Sequence, residues 1–180
     1  MNIVIGLGNP GSEYVGTRHN IGFNIVDAVA DELGVAFSSS KKTFSEIAKV
    51  GDSVLLCKPQ TFMNHSGQAV RAVLDYYHLL ESDADYSNLY VVHDDLDVAL
   101  GTVKLQFGTG PKSHNGLLSM YEHLGTKQFW HARVGVDNRG ELRGSIVPSE
   151  YVLQTFLVAE KPLLENSIEK IMTELRGKAF

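Results

Sequence analysis

The sequence predicts an α/β fold, with a single globular domain in which helices flank a mixed, largely parallel, twisted sheet. Short runs rich in β-branched residues alternate with segments whose apolar residues recur at helical spacing. The length of 180 residues, without a repeat, a low-complexity segment or a long linker, suits one domain with a sizeable core. We therefore expect residues 1–180 to form one domain.

These patterns predict strands and helices in a definite order. The strands fall at residues 2–7, 44–50, 53–57, 88–93, 103–107 and 132–137. The helices fall at residues 21–33, 66–79, 116–124 and 160–176. The last helix carries one apolar stripe between glutamates, at Leu164, Ile168, Ile171 and Leu175. Residues 137–150 are predicted to form a flexible loop over one face of the domain.

Composition and charge set broad limits on function. The net charge of −5 argues weakly against a nucleic-acid partner. Residues 81–97, however, hold six of the 21 acidic residues and no Lys or Arg, so a local cationic groove elsewhere is compatible with the composition. Cys57 is the single cysteine; this excludes a disulfide framework, and its apolar surroundings predict a buried strand thiol. With no signal-peptide pattern and no long apolar run, we expect a cytoplasmic protein without membrane attachment.

The segment GLGNPG at residues 6–11 matches the G-x-G-x-x-G fingerprint of a dinucleotide-binding loop. That loop requires a helix to open within the glycines, so that backbone N–H groups reach the pyrophosphate. Gly16 disfavours such an early helix, and the predicted helix begins near Asn20. The acidic residues about 20 positions on, Asp27 and Asp31, lie inside that helix. The residues around GLGNPG therefore do not suit a dinucleotide-binding loop. We expect the glycines to allow a tight backbone turn instead.

Three polar motifs directly follow predicted strands: GLGNPG, the residues around 58–64, and HDDLD at 93–97. The carboxyl ends of neighbouring strands in an α/β sheet meet at one edge, where ligands bind. We expect the three motifs to share one site.

The longer segment GLGNPGSEYVGTRHNIG at residues 6–22 resembles the first signature of the bacterial-type peptidyl-tRNA hydrolase family. The segment KPQTFMNHSGQAV at 58–70 is similar to the second motif of that family, and HDDLD to its acidic motif. SHNGL (113–117), RVGV (133–136) and EYVLQTF (150–156) extend the resemblance over nearly the whole chain. The resemblance implies hydrolysis of the ester that joins a peptide to the 3′ end of tRNA, with no metal or other cofactor and by a monomer.

Ester hydrolysis needs a positioned water, a base for its proton, and donors where the oxyanion develops. His19 suits the base because histidine changes charge near neutral pH, but its spacing equally suits the start of the helix at Asn20. The resemblance implies that His19 is the catalytic base and that Asp94 orients its ring. From the residues alone, HDDLD also suits a solvated acidic turn or a divalent-cation site. Asp95 and Asp97 are expected to be structural.

Three asparagines, Asn9, Asn64 and Asn115, lie at predicted turns. A side-chain amide can grip a peptide backbone or order a water, although Asn64 and Asn115 also precede helices and suit N-caps. The resemblance implies that Asn115 holds the water and stabilises the oxyanion. Met63 would form an apolar floor beside the histidine, with ordinary core packing as the alternative. The expected substrate-binding residues are Asn9, Tyr14, Phe62, Met63 and Asn64.

Binding to tRNA requires cations on its phosphates, and the resemblance implies a lysine and an arginine that clamp the 5′-phosphate of the acceptor end. Arg133 matches the arginine, whereas the place of the lysine is Gln106, two residues after Lys104 and on the same strand face. Glutamine carries no charge, so we expect weaker and less salt-sensitive discrimination of this phosphate unless Lys104 or Lys112 substitutes. A second cationic candidate lies near the C-terminus, at Lys170, Arg176 and Lys178.

Two segments depart from the family pattern. In GTGPKSHNGL, Pro111 stands where the family has a glycine-rich run, and its fixed φ predicts a stiffer loop. After RVGV the chain reads DNRG at 137–140, which is expected to move a negative charge toward the cleft. A non-catalytic RNA-binding paralogue is the first alternative, and the retained His19, Asn9, Asp94 and Asn115 argue against it. A metal-dependent phosphoesterase using HDDLD is the second.

Overall fold

In the computed structural model, which describes residues 1–79 and 86–180, seven strands form one mixed sheet. They are β1 (Asn2–Gly6), β2 (Ser38–Ser40), β3 (Ser45–Val50), β4 (Val54–Pro59), β5 (Leu89–Ala99), β6 (Val103–Phe107) and β7 (Trp130–Asp137). Their order across the sheet is β2-β3-β4-β1-β5-β7-β6. The four central strands β4, β1, β5 and β7 run parallel, and the outer strands pair antiparallel.

Five α-helices accompany this sheet in the described residues: α1 (Ile21–Glu32), α2 (Ser66–Tyr76), α3 (Asn115–Leu124), α4 (Pro148–Tyr151) and α5 (Lys161–Lys178). One core cluster joins α1 and α5 to one face of the sheet, and a second joins α2 and α3 to the other face. Central parallel strands that are covered on both faces must be apolar throughout, which explains the run NIVI of β1. The expected α/β fold is confirmed.

All six predicted strands and all four predicted helices are present. The predicted stripe on α5 faces the core, where Ile171 and Leu175 are fully buried and Leu164 and Ile168 pack partly buried against them. Cys57 is a buried thiol on β4, as expected, and burial raises its pKa to about 12. None of the described helices is both long and apolar enough to cross a membrane.

The structure corrects three expectations. HDDLD does not follow a strand but lies inside β5, which continues to Ala99 because its parallel pairing with β7 extends to Asp95 and resumes after a bulge. The short edge strand β2, made of three serines, was not predicted because its residues are exposed and without an apolar pattern. The segment 137–150, expected to be a flexible loop, contains a 3-10 helix at Gly140–Gly144 and the beginning of α4. The first residues of the acidic stretch 81–97, up to 85, lie outside the described residues.

Candidate active site

A cleft of about 550 Å³ opens at the carboxyl edge of the parallel strands. The pairing of β1 with β5 ends at Val92, so Asp94, two residues further along β5, lies beyond the end of β1. The polar residues that line the cleft include Asn9, His19, Asn64, Asp94, His114 and Asn115. Its apolar lining residues are Met63, Leu96, Pro148, Val152 and Leu153. The three motifs expected to share a site therefore do so.

A buried carboxylate between two imidazoles forms the floor of this cleft. Asp94 Oδ1 lies 2.6 Å from His19 Nδ1 and 3.0 Å from His114 Nε2. Burial acts to raise the pKa of Asp94, but the two histidines beside it outweigh burial and hold that pKa well below its usual range. Asp94 is therefore an ionised acceptor, and both ring nitrogens donate to it.

The contact with Asp94 fixes the chemistry of the His19 ring. When Nδ1 donates to a carboxylate, the neutral imidazole carries its lone pair on Nε2, which becomes the proton acceptor. His19 lies in a 3-10 helix, Arg18–Asn20, directly before α1, and its side chain makes no capping hydrogen bond to that helix. The side chain of His19 therefore contacts Asp94 and does not cap the helix, as the alternative would have required.

His114 is part of the cluster, and the sequence analysis gave it no role. It is the N-cap of α3, where its Nδ1 accepts a hydrogen bond from the Leu117 N–H at 3.3 Å while its Nε2 faces Asp94. One ring thus caps a helix and holds the carboxylate at once. A histidine two residues before the predicted helix at 116–124 was the available signal.

Two further buried histidines continue the row of rings away from the cleft. The His93 ring lies 5.3 Å from that of His114 and 5.6 Å from that of His131, measured between centroids. Burial lowers the pKa of His93 well below its usual value and lowers the pKa of His131 to about 4. His93 Nε2 and His131 Nδ1 are buried without a hydrogen-bond partner, so both rings are neutral at pH 7.

The GLGNPG turn positions Asn9 by backbone contacts. The Asn9 N–H donates to Asn20 Oδ1 and the Asn9 carbonyl accepts from Asn20 Nδ2, both at 2.9 Å. Asn9 Oδ1 in turn accepts the Met63 N–H at 2.8 Å, leaving the Asn9 amide N–H groups for a ligand. A Cβ on Gly6 would lie 2.3 Å from the Gly22 carbonyl oxygen, so this glycine allows α1 to cross β1 in direct contact.

The remaining expected substrate residues divide between the cleft wall and its rim. Asn64 and Asn115 are exposed and line the cleft, and neither is an N-cap, since His65 and His114 occupy those positions. Met63 is 4% exposed and belongs both to the cleft lining and to the core. Tyr14 also lines the cleft, whereas Phe62 lies outside the lining, 54% exposed and edge-on to Tyr14.

A family model described as peptidyl-tRNA hydrolase matches residues 3–178. The chain belongs to the peptidyl-tRNA hydrolase family. It is 40% identical to the peptidyl-tRNA hydrolase of Halalkalibacterium halodurans, over 94% of this chain and 86% of that protein. It is 41% identical to that of Brevibacillus brevis, over 93% and 86% of the two chains. The crystal structure of peptidyl-tRNA hydrolase from Acinetobacter baumannii superposes with a TM-score of 0.86 at 30% identity, over 99% of this chain and 88% of that one.

The phosphate-binding residues expected of a peptidyl-tRNA hydrolase lie along the edge formed by β6 and β7. Arg133 donates from Nε to Asp95 Oδ2 at 2.7 Å and from Nη1 to Gln106 Oε1 at 2.8 Å. Lys104 is exposed directly opposite Arg133 on the paired strand, and Lys112 is exposed in the loop before α3. Arg133 is therefore already engaged, whereas Lys104 and Lys112 are exposed.

The second cationic candidate of this family member does not form a joint surface. Lys170 Nζ donates to the Gly101 carbonyl, Arg176 pairs with Glu32, and Lys178 lies over the Trp130 ring. These cations are each engaged within the domain along α5.

The two segments that depart from the peptidyl-tRNA hydrolase pattern are packed against the domain. Gly110 approaches the Tyr121 hydroxyl and His131 so closely that a Cβ there would lie 2.6 Å from the hydroxyl oxygen. The Asp137 carboxylate accepts from Arg139 Nε at 2.7 Å, and Arg143 Nε lies 3.3 Å from its other oxygen. Asp137, expected to move a negative charge toward the cleft, does not line it, and two arginines neutralise its charge.

The carboxylates of HDDLD do not converge as an acidic metal site would require. Asp95 pairs with Arg133 and Asp97 is exposed beside Arg143. Within the described residues, the one group of three side chains with ligand atoms within 4.8 Å of one another is His19, Asp94 and His114. Two imidazoles and a carboxylate can ligate a transition metal, so a chelator test belongs with any activity assay.

Proposed function

We propose that this chain hydrolyses the ester bond between a peptide and the 3′ end of tRNA, with His19 as general base. The observation that carries the proposal is the contact of 2.6 Å between His19 Nδ1 and the buried Asp94 carboxylate at the floor of the cleft. An ionised carboxylate on one ring nitrogen orients the imidazole and stabilises the cation that forms on proton transfer. The relatives named peptidyl-tRNA hydrolase make this ester the natural substrate.

The reaction then follows from the arrangement of donors and acceptors. His19 Nε2 removes a proton from a water as its oxygen attacks the ester carbonyl, and the tetrahedral oxyanion is stabilised by the Asn115 amide. Collapse breaks the bond to the ribose oxygen, which receives the proton from His19. The products are a peptide acid and a tRNA with a free 3′-hydroxyl. No metal or other cofactor takes part in this scheme.

The peptide is bound by polar and apolar side chains that line the cleft together with the base. The free Asn9 amide and the exposed Asn64 amide suit carbonyl groups of a peptide, and Met63 provides an apolar floor. Tyr14 lines the cleft and Phe62 packs against it at the rim, where the two rings suit an apolar side chain or a base. These assignments rest on the placement of the side chains.

The tRNA lies along the β6–β7 edge in this proposal. Lys104 and Lys112 are exposed there, while Arg133 shares its guanidinium with Asp95 and Gln106. The partner is the acceptor stem with its 3′ end, and the chain acts as a monomer in the cytoplasm, where peptidyl-tRNA arises. Sedimentation of the free protein tests the oligomeric state independently of activity.

The deciding experiment measures release of N-acetyl-aminoacyl groups from charged tRNA by the wild type and by His19→Ala, each with and without EDTA. We expect release by the wild type in EDTA and a loss of about 10²–10⁴-fold in the variant. Abolition by EDTA would replace the proposal with a metal-dependent reaction at His19, Asp94 and His114. Binding of tRNA without release would identify an RNA-binding paralogue. Full turnover by His19→Ala would remove His19 from the mechanism.

A further inference from the structure

The 3-10 helix that carries His19 is anchored to a second segment more than 130 residues away in sequence. The His19 N–H donates to the Val152 carbonyl at 2.8 Å, and the Arg18 N–H donates to the Gln154 carbonyl at 3.0 Å. One residue earlier, Thr17 forms an isolated antiparallel bridge with Thr155. The backbone position of His19 therefore depends on where residues 152–155 lie.

A buried ion pair fastens these two segments. Arg18 is 2% exposed, and its Nη2 donates to Glu160 Oε2 at 2.7 Å. The guanidinium carbon lies 4.3 Å from the centre of the Tyr151 ring and 4.8 Å from that of Phe156, so aromatic rings complete its surroundings. Arg18 therefore contacts residues 151–160 through an ion pair and through packing against two aromatic rings.

Glu160 is itself held in one position by three donors. Besides Arg18, it accepts from the Leu157 N–H at 2.7 Å and from Asn138 Nδ2 at 2.9 Å. The Asn138 N–H donates to the Tyr151 hydroxyl at 3.1 Å. Asn138, in the DNRG segment that departs from the family pattern, therefore helps to hold Glu160 and Tyr151 in place.

Stability alone is a poor explanation for this pair. A buried ion pair is often no more stabilising than apolar residues of similar volume, because both charges lose their hydration. Here Arg18 Nε is in addition buried without a hydrogen-bond partner. What the pair does supply is a fixed distance between residues 18 and 160, directly beside the residue whose ring must meet Asp94.

We propose that Arg18 and Glu160 are positioning residues, whose buried ion pair places His19 for its contact with Asp94. The inference rests on the proposed function of His19 as the base. A displacement of about 1 Å at a reacting group is enough to lower turnover by as much as about 10²-fold. Loss of the pair is therefore expected to lower kcat while leaving KM nearly unchanged, since neither residue lines the cleft.

The test compares Arg18→Lys with the double variant Arg18→Met/Glu160→Gln. The lysine keeps the charge but loses the planar contact with two rings, and the double variant removes both charges without leaving one unpaired. The matched control is Arg71→Met/Asp75→Asn, which removes an exposed ion pair on α2 whose two residues do not line the cleft. Thermal unfolding, kcat and KM are measured for each, together with the NMR signal of the His19 ring N–H in protein labelled with 15N-histidine.

We expect a kcat at least tenfold below that of the wild type in the double variant and an intermediate value in Arg18→Lys, with KM within a factor of about three. The ring N–H signal, identified by its absence in His19→Ala, is expected to weaken or shift in both variants but not in the control. A double variant that folds with wild-type kcat and an unchanged signal would overturn the inference. So would an Arg18→Lys protein with wild-type kcat. Because the NMR signal reports the contact without substrate, an inactive wild type would refute the proposed function and leave this inference testable.

Discussion

Asp94 and Asp95 are neighbours on β5, and because their side chains leave the strand on opposite faces, their carboxylates have different partners. Asp94 accepts from His19 and His114, whereas Asp95 accepts from Arg133 on β7. Alternation along a strand produces this separation. One acidic dipeptide thus contributes to the floor of the cleft and to the edge where tRNA is proposed to bind.

Substitution of Asp94 is expected to lower mainly kcat, whereas substitution of Asp95 is expected to change mainly KM. Asp94→Asn removes the charge that orients the His19 ring and should lower kcat by about 10²–10⁴-fold. Asp95→Asn serves as its matched control, because it releases Arg133 and should change KM more than kcat. Steady-state kinetics on N-blocked aminoacyl-tRNA provides both constants. Equal losses of kcat in the two variants would contradict the assignment.

The double role of His114 can be tested with one substitution. Asparagine is a favourable N-cap but is too short to reach Asp94, so His114→Asn should keep α3 and lose the hydrogen bond to the carboxylate. A hydrogen bond to a charged group contributes about 1.5–3 kcal/mol to stability, so we expect unfolding at a lower temperature. We also expect kcat to fall, because Asp94 and the His19 ring it orients are held less firmly. A variant with unchanged kcat would show that His19 alone is sufficient to hold Asp94 in place.

The uncharged Gln106 predicts a weak 5′-phosphate clamp. Gln106→Lys adds a cation beside Arg133 and should make log KM depend more steeply on log salt, by about one unit of slope for one new phosphate contact. The measurement compares substrates with and without the 5′-phosphate at several salt concentrations. Lys170→Gln, on α5, is the control and should leave the slope unchanged, because Lys170 is engaged with the Gly101 carbonyl and α5 covers the opposite face of the sheet. Full discrimination by the wild type would refute the weak clamp.

The buried histidines predict loss of stability in acid. Because burial lowers the pKa of His131 to about 4, the unfolded chain binds a proton as the pH falls below about 6.5 while the folded chain does not. The free energy of unfolding should therefore decrease between pH 6.5 and 4, by up to about 3 kcal/mol for this group. Burial lowers the pKa of His93 as well, and His93 adds to the same loss.

Urea unfolding at several pH values measures this dependence. In His131→Phe, a ring of similar shape stacks on Phe129 but cannot bind a proton, so the decrease should be smaller than in the wild type. An identical pH dependence in the two proteins would show that other groups cause the loss.

Most of the fold could be predicted from the sequence, because the apolar patterns that identify its helices and strands are local. The spacing of Ile171 and Leu175 with their neighbours identifies α5 without any tertiary contact. The length of β5 was not predictable in this way, since Asp94 and Asp95 are unfavourable in an isolated strand. They are accommodated by His19, His114 and Arg133, which are distant in sequence.

In the candidate site as well, local motifs were predictable, whereas contacts between residues distant in sequence were not. Motifs predicted most of the polar residues in the cleft, but not the apolar lining residues Leu96, Pro148, Val152 and Leu153. His114 was missed as well, because its partner Asp94 is 20 residues away and gives no periodic signal. The ion pair between Arg133 and Asp95 was also not predictable, because it depends on the register of β5 against β7. The pairing of Asp137 with Arg139, by contrast, spans two residues and was open to prediction.

The two helical layers have a consequence for how activity develops during folding. His19 precedes α1 on one side of the sheet, and His114 begins α3 on the other, so their meeting at Asp94 requires both layers to be docked. A refolding chain with only one layer in place has no complete cluster. The rate at which esterase activity recovers after dilution from denaturant therefore reports the docking of the second helical layer. This recovery should be slower than the return of the helical circular dichroism signal.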